Sequence, residues 1–265
     1  MTRPRPSATA VLSVVGGLAV VLLILVPVVA LVARAPWSAA VDILTQPANG
    51  TALRLSLQVS LSALVLSVLL GFPIAWVLAR TEFPGRSLVR ALVVLPMVVP
   101  PVVGGVALLV AFGRRGLVGQ WLDRWFDVQL AYTTTAAVLA ATFVSLPFFV
   151  VTVEAALRHV DRRYEDAARS LGASPGTVLR RVTLPSIRGA LGAGSALAWA
   201  RALGEFGATI TFAGSFAGRT QTMPLAINQA LDTDVQAAIL LSLVLLLVSV
   251  AVLAGLRDRW LGGAT

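Results

Sequence analysis

Apolar residues dominate six long segments of this chain, and short polar connections separate them. A transmembrane helix needs about 20 mostly apolar residues, and each segment reaches that length. The sequence therefore predicts an all-α integral membrane protein, with six transmembrane helices in a single domain over residues 1–265. Pro96, Pro100 and Pro101 interrupt the third segment, where we expect broken helical backbone. The predicted segments are residues 9–33, 53–79, 88–112, 133–157, 187–213 and 235–256.

The basic residues are all arginine, and they are distributed unevenly among the connections. If six helices alternate in direction, 14 of the 21 arginines lie on the side that holds both termini and the loop 161–185. Positively charged connections favour the cytoplasmic side of a membrane. We therefore expect both termini and this loop in the cytoplasm. The same dispersed arginines account for the net charge of +9, so nucleic-acid binding is not expected.

The first apolar segment has some features of a secretory signal. Arg3 and Arg5 precede it, and Ala33-Arg34-Ala35 after it resembles a cleavage site. The apolar core of a signal peptide is about 7–15 residues long, whereas this segment is apolar from Ala8 to Ala33. We therefore expect a retained transmembrane helix.

The loop 161–185 contains a conspicuous group of charged residues between two apolar segments. Within it, Tyr164, Ala167, Ala168 and Leu171 recur at helical spacing and form one apolar face, whereas charged residues occupy the other face. Gly172 is expected to end this helix in the left-handed conformation. Ser174 and Pro175 then supply the cap and first residue of a second helix, which Pro185 is expected to end. The pattern predicts a helix–Gly–helix unit at the membrane surface, although a plain solvated loop has similar local features.

The composition excludes several kinds of chemistry. The chain has no Cys, no Lys and one His, His159. A thiol nucleophile, a P-loop lysine and a multi-histidine metal centre are therefore excluded, and no cofactor is expected. Residues 172–176 match the nucleophile motif G-x-S-x-G, but a triad histidine follows that serine in the chain order of α/β-hydrolases and His159 precedes it. We expect Ser174 to be a helix cap and the chain not to be an enzyme.

Two charged residues, Arg201 and Glu205, lie one helical turn apart within the fifth segment. An isolated charge there would cost about 2.5–3.5 kcal/mol, so neither side chain should face lipid. The pair can line a pathway for an anion, or its members can merely neutralise each other. Ser56 and Ser60 in the second segment can line the same pathway, or they can allow close helix packing.

The loop also carries a family resemblance. The loop resembles the "EAA" loop of ABC-importer permease subunits in three respects. An acidic residue precedes Ala167-Ala168, Gly172 follows four positions later, and Leu184-Pro185 stands near the end of the loop. Residues 53–113, 200–210 and 220–227 are similar to the oxyanion branch of that family, which includes molybdate and sulfate/thiosulfate permeases. One departure is Asp166, which stands where the family has glutamate and follows Glu165.

The resemblance implies a permease subunit of an ATP-driven importer for molybdate or tungstate, in a bacterial or archaeal inner membrane. It implies partners: a second copy of the chain, two cytoplasmic P-loop ATPase subunits, and an extracytoplasmic oxyanion-binding protein. Sulfate or thiosulfate import remains an alternative, as does a secondary anion transporter that is not coupled to ATP. By the same resemblance, the ATPase-coupling residues are Tyr164, Glu165, Asp166, Ala167, Ala168, Gly172, Leu184 and Pro185.

Overall fold

A computed structural model describes residues 8–261 of the chain. Arg3 and Arg5 lie outside these residues, and the side chains of Arg257 and Arg259 are not described. Within residues 8–261 every regular element is helical, which confirms the predicted all-α class.

Fourteen α-helices follow one another along the described chain. The first seven are α1 (Ala8–Arg34), α2 (Ala40–Leu44), α3 (Pro47–Arg80), α4 (Arg86–Val98), α5 (Pro101–Phe112), α6 (Gly119–Phe126) and α7 (Thr134–His159). The others are α8 (Arg162–Ser170), α9 (Pro175–Val178), α10 (Leu184–Ser186), α11 (Arg188–Leu203), α12 (Gly207–Phe212), α13 (Met223–Thr233) and α14 (Val235–Leu261). A 3₁₀ turn, Trp37–Ala39, precedes α2, and a π-helical turn, Leu179–Thr183, joins α9 to α10.

Four of the described helices are long and apolar enough to cross a membrane. The predicted segments 88–112 and 187–213 are not single helices: the break in the first was expected from its prolines, whereas the break in the second was not. The first of these segments forms α4 and α5, which are bent by 118° and count as a fifth candidate span if taken together. The second forms α11 and α12. The four single spans are Ser13–Arg34, Pro47–Arg80, Thr134–His159 and Val235–Val252.

The break between α4 and α5 lies at the expected proline cluster. Val99 and Pro100 have ψ angles of 130° and 134°, so the backbone is extended just before Pro101 begins α5. A residue that precedes proline is disfavoured in the helical region by its clash with the proline ring, and Val99 and Pro100 both precede one. Pro96, by contrast, lies inside α4, and Pro73 and Pro147 lie inside α3 and α7. In α3, α4, α5 and α7, the helix is therefore broken only where two prolines are consecutive.

Small residues allow the central helices α3, α7 and α11 to approach closely. A Cβ at Gly71 of α3 would lie 2.8 Å from the Phe149 ring of α7, and Ala75 and Ala198 are fully buried in the same cluster. A second close contact joins α5 to α12, because a Cβ at Gly105 would lie 2.8 Å from the Ala208 carbonyl oxygen. Packing of this kind stabilises helices in lipid, where apolar surface alone gives no driving force between them.

The two ends of the bundle hold different parts of the chain. At one end, the C-termini of α3 and α7 meet the start of α4 and helix α8, through hydrogen bonds that include Arg80 to Glu165 and Arg90 to Glu154. We call this the α8 end. At the other end, Ser56 near the start of α3 contacts the start of α13, and Thr134 at the start of α7 contacts Arg219. We call this the α13 end.

Candidate functional site

Helix α8 presents its apolar side chains away from the bundle. Asp161 caps the helix, because its carboxylate accepts a hydrogen bond of 2.9 Å from the Arg163 backbone N–H. Tyr164 is 68% exposed and Leu171, which follows the helix, is 90% exposed. The predicted apolar face therefore exists, but it points outward. These exposed side chains are available for contact with a partner protein.

The turn after α8 has the geometry expected from its sequence. Gly172 has a φ of +85°, a left-handed conformation that disfavours any side chain. The N–H of Ala173 donates to the Ala168 carbonyl at 3.0 Å, and that of Gly172 donates to the Arg169 carbonyl at 2.9 Å. These two bonds form a Schellman motif, which satisfies carbonyls at the end of α8.

The helix that follows begins as predicted and ends within one residue of the predicted position. The Ser174 hydroxyl accepts a hydrogen bond of 3.3 Å from the Thr177 N–H, so this serine is a cap, and the expected helix, glycine turn and second helix are all present. The helical stretch ends at Ser186, one residue after Pro185 and before α11, close to the expected position. The π-helical turn just before α10 shifts the hydrogen-bond ladder. Pro185 lies just after this turn, inside the same helical stretch.

The two adjacent carboxylates of α8 lie in opposite environments. The side chain of Glu165 is only 5% exposed, and its Oε1 accepts hydrogen bonds from Arg80 at 2.6 Å and from the Thr183 hydroxyl at 2.9 Å. Asp166 is 66% exposed and pairs with Arg169 on the same helix. The sequence did not identify the contact with Arg80. Neighbouring residues of an α-helix point about 100° apart, so the sequence did indicate that Glu165 and Asp166 face different surroundings.

A second ion-pair cluster at the α8 end was missed in the sequence. Glu154 of α7 is buried and binds Arg90 of α4 and, at 2.8 Å, Arg158 one turn along its own helix. Arg158 also donates to the Leu78 carbonyl at 3.2 Å, as Arg86 does at 3.0 Å from Nε. The last turn of α3 is therefore held by both α4 and α7. The sequence offered one indication of this cluster: Glu154 stands alone in an apolar segment, and Arg158 follows it four residues later.

Arg201 and Glu205 form the ion pair that their spacing suggested. Their closest atoms are 2.7 Å apart, and the side chain of Glu205 is 1% exposed whereas that of Arg201 is 26% exposed. Glu205 Oε1 also accepts a hydrogen bond of 2.7 Å from the Ala208 N–H, at the start of α12. The glutamate thus neutralises the arginine and satisfies a free N–H where the fifth predicted segment is broken.

Ser56 and Ser60 are buried between helices of one chain. The Ser56 hydroxyl accepts a hydrogen bond of 2.6 Å from the Met223 N–H and so joins α3 to the start of α13. Ser60 is fully buried and donates to the Leu57 carbonyl at 3.3 Å. Both positions have the features of close helix packing.

The α13 end carries an open cavity of about 280 Å³. Tyr132 and Phe216 meet edge to face across it, with ring centres 6.3 Å apart. Tyr132 has a φ of +63°, which is unusual for a residue with a side chain and is often associated with a functional position. The remaining lining residues are Gln129, Ala131, Thr133 and Arg219. Among the described residues, no group of three or more His, Cys, Asp or Glu side chains could hold a metal ion.

Comparison with known proteins identifies the family. Residues 67–262 match the family described as "Binding-protein-dependent transport system inner membrane component". The chain belongs to this family. It is 47% identical over 239 residues to the "Molybdenum transport system permease protein ModB" of Mycobacterium bovis, with 90% of each chain covered. It is 41% identical to the Escherichia coli protein of the same name, in an alignment that covers 83% of this chain and 95% of that protein.

More distant relatives agree with this family assignment. The chain is 37% identical to the "Sulfate transport system permease protein CysT" of Escherichia coli, over 88% of this chain and 86% of that protein. A bacterial ABC transporter for alginate import has a chain with a TM-score of 0.73, at 15% identity and 96% coverage of both chains. A chain of the MetNI methionine ABC transporter has a TM-score of 0.63, at 19% identity, covering 81% of this chain and 94% of that one. The predicted resemblance to oxyanion-importer permeases is confirmed, and the fold is that of ABC-importer permeases.

The Arg201–Glu205 pair predicts unequal effects of two similar substitutions. Arg201→Gln leaves a carboxylate of 1% exposure without its counter-charge, and loss of one partner of a buried pair costs up to about 3–5 kcal/mol. Glu205→Gln leaves an arginine that is 26% exposed and keeps an oxygen for the Ala208 N–H, so we expect a smaller loss than for Arg201→Gln. Unfolding temperatures of the purified variants in detergent measure the difference.

The double variant Arg201→Gln with Glu205→Gln is the control. It should recover most of the stability that Arg201→Gln loses, because no buried charge then remains unpaired. Equal destabilisation by both single variants, without recovery in the double variant, would contradict the pairing.

Proposed function

We propose that this chain is the membrane-spanning permease subunit of an ATP-driven importer for molybdate or tungstate. The observation that carries this proposal is the 47% identity, over 90% of the chain, to a protein named as a molybdenum transport permease. The chain has no P-loop lysine of its own. In the proposed complex, two partner ATPase subunits hydrolyse ATP, and this subunit has no enzymatic activity.

The outward face of α8 is the proposed ATPase-docking surface. It combines the exposed ring of Tyr164, the exposed carboxylate of Asp166 and, after the helix, the exposed Leu171. Ala167 and Ala168 on this short helix leave room for a partner to approach its backbone, and Gly172 sets the direction of α9. Leu184 and Pro185, in α10, continue the same helical segment towards α11. Movement of the ATPase subunits would thus be passed to the membrane helices through this unit.

We propose an orientation in which the α8 end and both termini are cytoplasmic. The broken pairs α4/α5 and α11/α12 then serve as the third and fifth of six spans. The α13 end faces outward, and the cavity with Tyr132, Phe216 and Arg219 is a docking position for an oxyanion-binding protein. A bacterial alginate ABC transporter of similar fold was solved in complex with a periplasmic protein, which supports a partner of this kind.

The proposed pathway lies between two copies of the chain and passes Arg201. A dianion in a low-dielectric bundle needs positive potential, and the Arg201 side chain is partly exposed in the single chain. Glu205 limits how tightly the anion is held, because it neutralises part of that potential. We assign Ser56 and Ser60 to helix packing rather than to the pathway, since their hydroxyls are buried and hydrogen-bonded within one chain.

A sulfate or thiosulfate importer is the second candidate, because a sulfate permease is 37% identical over 88% of the chain. It is less similar than the molybdenum permeases. A secondary anion transporter would not require an outward-facing coupling unit such as α8 and α9.

Substrate competition tests the assignment. The chain is purified in mild detergent with its ATPase, reconstituted into vesicles with the cognate binding protein, and supplied with molybdate. We expect ATP-dependent uptake that tungstate inhibits and excess sulfate does not, because the similarity to molybdenum permeases is greater. Stronger inhibition by sulfate would assign the chain to the sulfate branch, and uptake without a copurified ATPase would support a secondary transporter.

The orientation predicts which positions a membrane-impermeant thiol reagent can reach. The chain has no Cys, so single cysteines can be introduced without a background reaction. Arg219→Cys should react in intact cells, whereas Arg162→Cys should react only after the membrane is permeabilised, because both side chains are exposed but lie at opposite ends. Reaction of Arg162→Cys in intact cells would contradict the orientation.

Gly172→Val is expected to uncouple ATP hydrolysis from uptake. A β-branched residue at a φ of +85° is strained by about 1–3 kcal/mol, so α9 would no longer point in its native direction. Nothing lies within 4 Å of a Cβ at this position, so the substitution should not disturb the membrane core. The measurement is uptake per ATP hydrolysed in reconstituted vesicles.

Gly176→Val is the matched control for Gly172→Val. Gly176 lies in the same loop, and a Cβ added there would also have no atom within 4 Å, but its φ is not in the left-handed range. It should leave uptake per ATP close to that of the native chain. Equal losses in both variants would show that the loop tolerates no side chain, and would argue against a role for the left-handed turn.

A further inference from the structure

Helix α8 is attached to the bundle by a charged side chain. Of its nine residues, only Glu165 is buried. Its Oε1 contacts Arg80, the last residue of α3, and Thr183, in the π-helical turn before α10. A short amphipathic helix usually packs through apolar residues, but here the apolar residues are exposed. The carboxylate of Glu165 is therefore the main attachment of α8.

The attachment is a strong one. The side chains of Arg80 and Glu165 are 8% and 5% exposed, so little water competes for their hydrogen bond of 2.6 Å. The Arg80 guanidinium also lies 5.8 Å from the centre of the Trp76 ring, which helps to hold it in place. Arg169 lies 3.8 Å from the other oxygen of Glu165 and is half exposed. Loss of one member of such a pair leaves a buried charge without compensation.

We propose that Glu165 is a positioning residue that transmits movement from α8 to α3, and that it does not contact the ATPase. This inference rests on the proposed function, in which α8 receives the movement of an ATPase subunit. Asp166, which is exposed, would make the docking contact instead. The two adjacent acidic residues would then have separate roles, one towards the ATPase and one towards the membrane helices.

The contacts beyond Arg80 extend this connection. The Leu78 carbonyl, two residues before Arg80, accepts hydrogen bonds from Arg86 and Arg158. Arg158 in turn binds Glu154, which also binds Arg90 of α4. A displacement of α8 that pulls on Arg80 would therefore act on α3, α4 and α7 together. Alternating access requires movement of membrane helices as rigid bodies, and these contacts would make the three helices move together.

The attachment can be measured without any partner. A nitroxide on Ser170→Cys, at an exposed position of α8, reports the mobility of this helix in the permease reconstituted in lipid nanodiscs. Glu165→Gln should make the spectrum clearly more mobile, because the ion pair is lost. Thr183→Val, which removes only one hydrogen bond to Glu165, should have a smaller effect in the same direction. If Glu165→Gln does not fold, the nitroxide spectrum of Thr183→Val tests the attachment instead. Asp166→Asn is the matched control and should leave the spectrum unchanged.

The transmission is measured in the complex reconstituted with its ATPase and binding protein. Glu165→Gln should retain bound ATPase, whereas uptake per ATP should fall by on the order of tenfold, within the range typical of coupling between sites. Asp166→Asn should instead reduce the amount of ATPase retained. The exchanged pair, Arg80→Glu with Glu165→Arg, should recover part of the lost uptake per ATP.

Three results would overturn the inference. One is an unchanged nitroxide spectrum in both Glu165→Gln and Thr183→Val. Another is unchanged uptake per ATP in Glu165→Gln. The third is loss of ATPase in Glu165→Gln to the same extent as in Asp166→Asn, which would make Glu165 a docking residue. If the native chain retains no ATPase at all, the proposed function fails, and the spectra still decide whether Glu165 holds α8.

Discussion

Ion pairing determines where this chain can bury a charge. The three buried acidic residues among the described side chains are Glu154, Glu165 and Glu205, and each contacts at least one arginine. An unpaired carboxylate in a membrane bundle would be strongly destabilising, so each of these glutamates fixes the position of the helix that supplies its arginine. The pairs lie where helices end or break: at the ends of α3 and α7, at α8, and between α11 and α12. They therefore hold together the irregular parts of a bundle whose regular parts pack through small apolar residues.

The sequence predicts those features of the fold that depend on local interactions. Apolar length identified the four helices that are long enough to cross a membrane, and the turn at Gly172 and the cap at Ser174 followed from neighbouring residues alone. The breaks were harder to place. Pro100 and Pro101 indicated a break in the third segment. In the fifth segment no proline stands at residues 204–206, between the end of α11 and the start of α12. There the break is stabilised by the Glu205 carboxylate, which caps α12, and such a cap cannot be predicted before the break itself is known.

Contacts between distant residues explain what the sequence could not predict at the candidate site. Arg80 and Glu165 are separated by 85 positions, and Arg90 and Glu154 by 64. Helical periodicity placed Glu165 on the charged face of α8, and it could not tell whether that face meets water or another helix. It also suggested nothing about the partner of Ser56, whose hydroxyl binds the Met223 N–H across 167 positions. By contrast, Arg201 and Glu205 were paired correctly because they are four residues apart in sequence, one in the last turn of α11 and the other just beyond its end.

The lengths of the two adjacent acidic side chains fit their different surroundings. Glu165 must reach from α8 to the end of α3 and also to Thr183, and its extra methylene group provides that reach. Asp166, on the exposed side, has no such distance to span within the chain, and its carboxylate pairs with Arg169 of the same helix. An aspartate at the position where the resembling loops have glutamate is therefore compatible with an intact attachment of α8, because the attachment depends on its neighbour. In the proposed importer, the shorter side chain would bring the ATPase surface closer to the α8 backbone, where Ala167 leaves space for it.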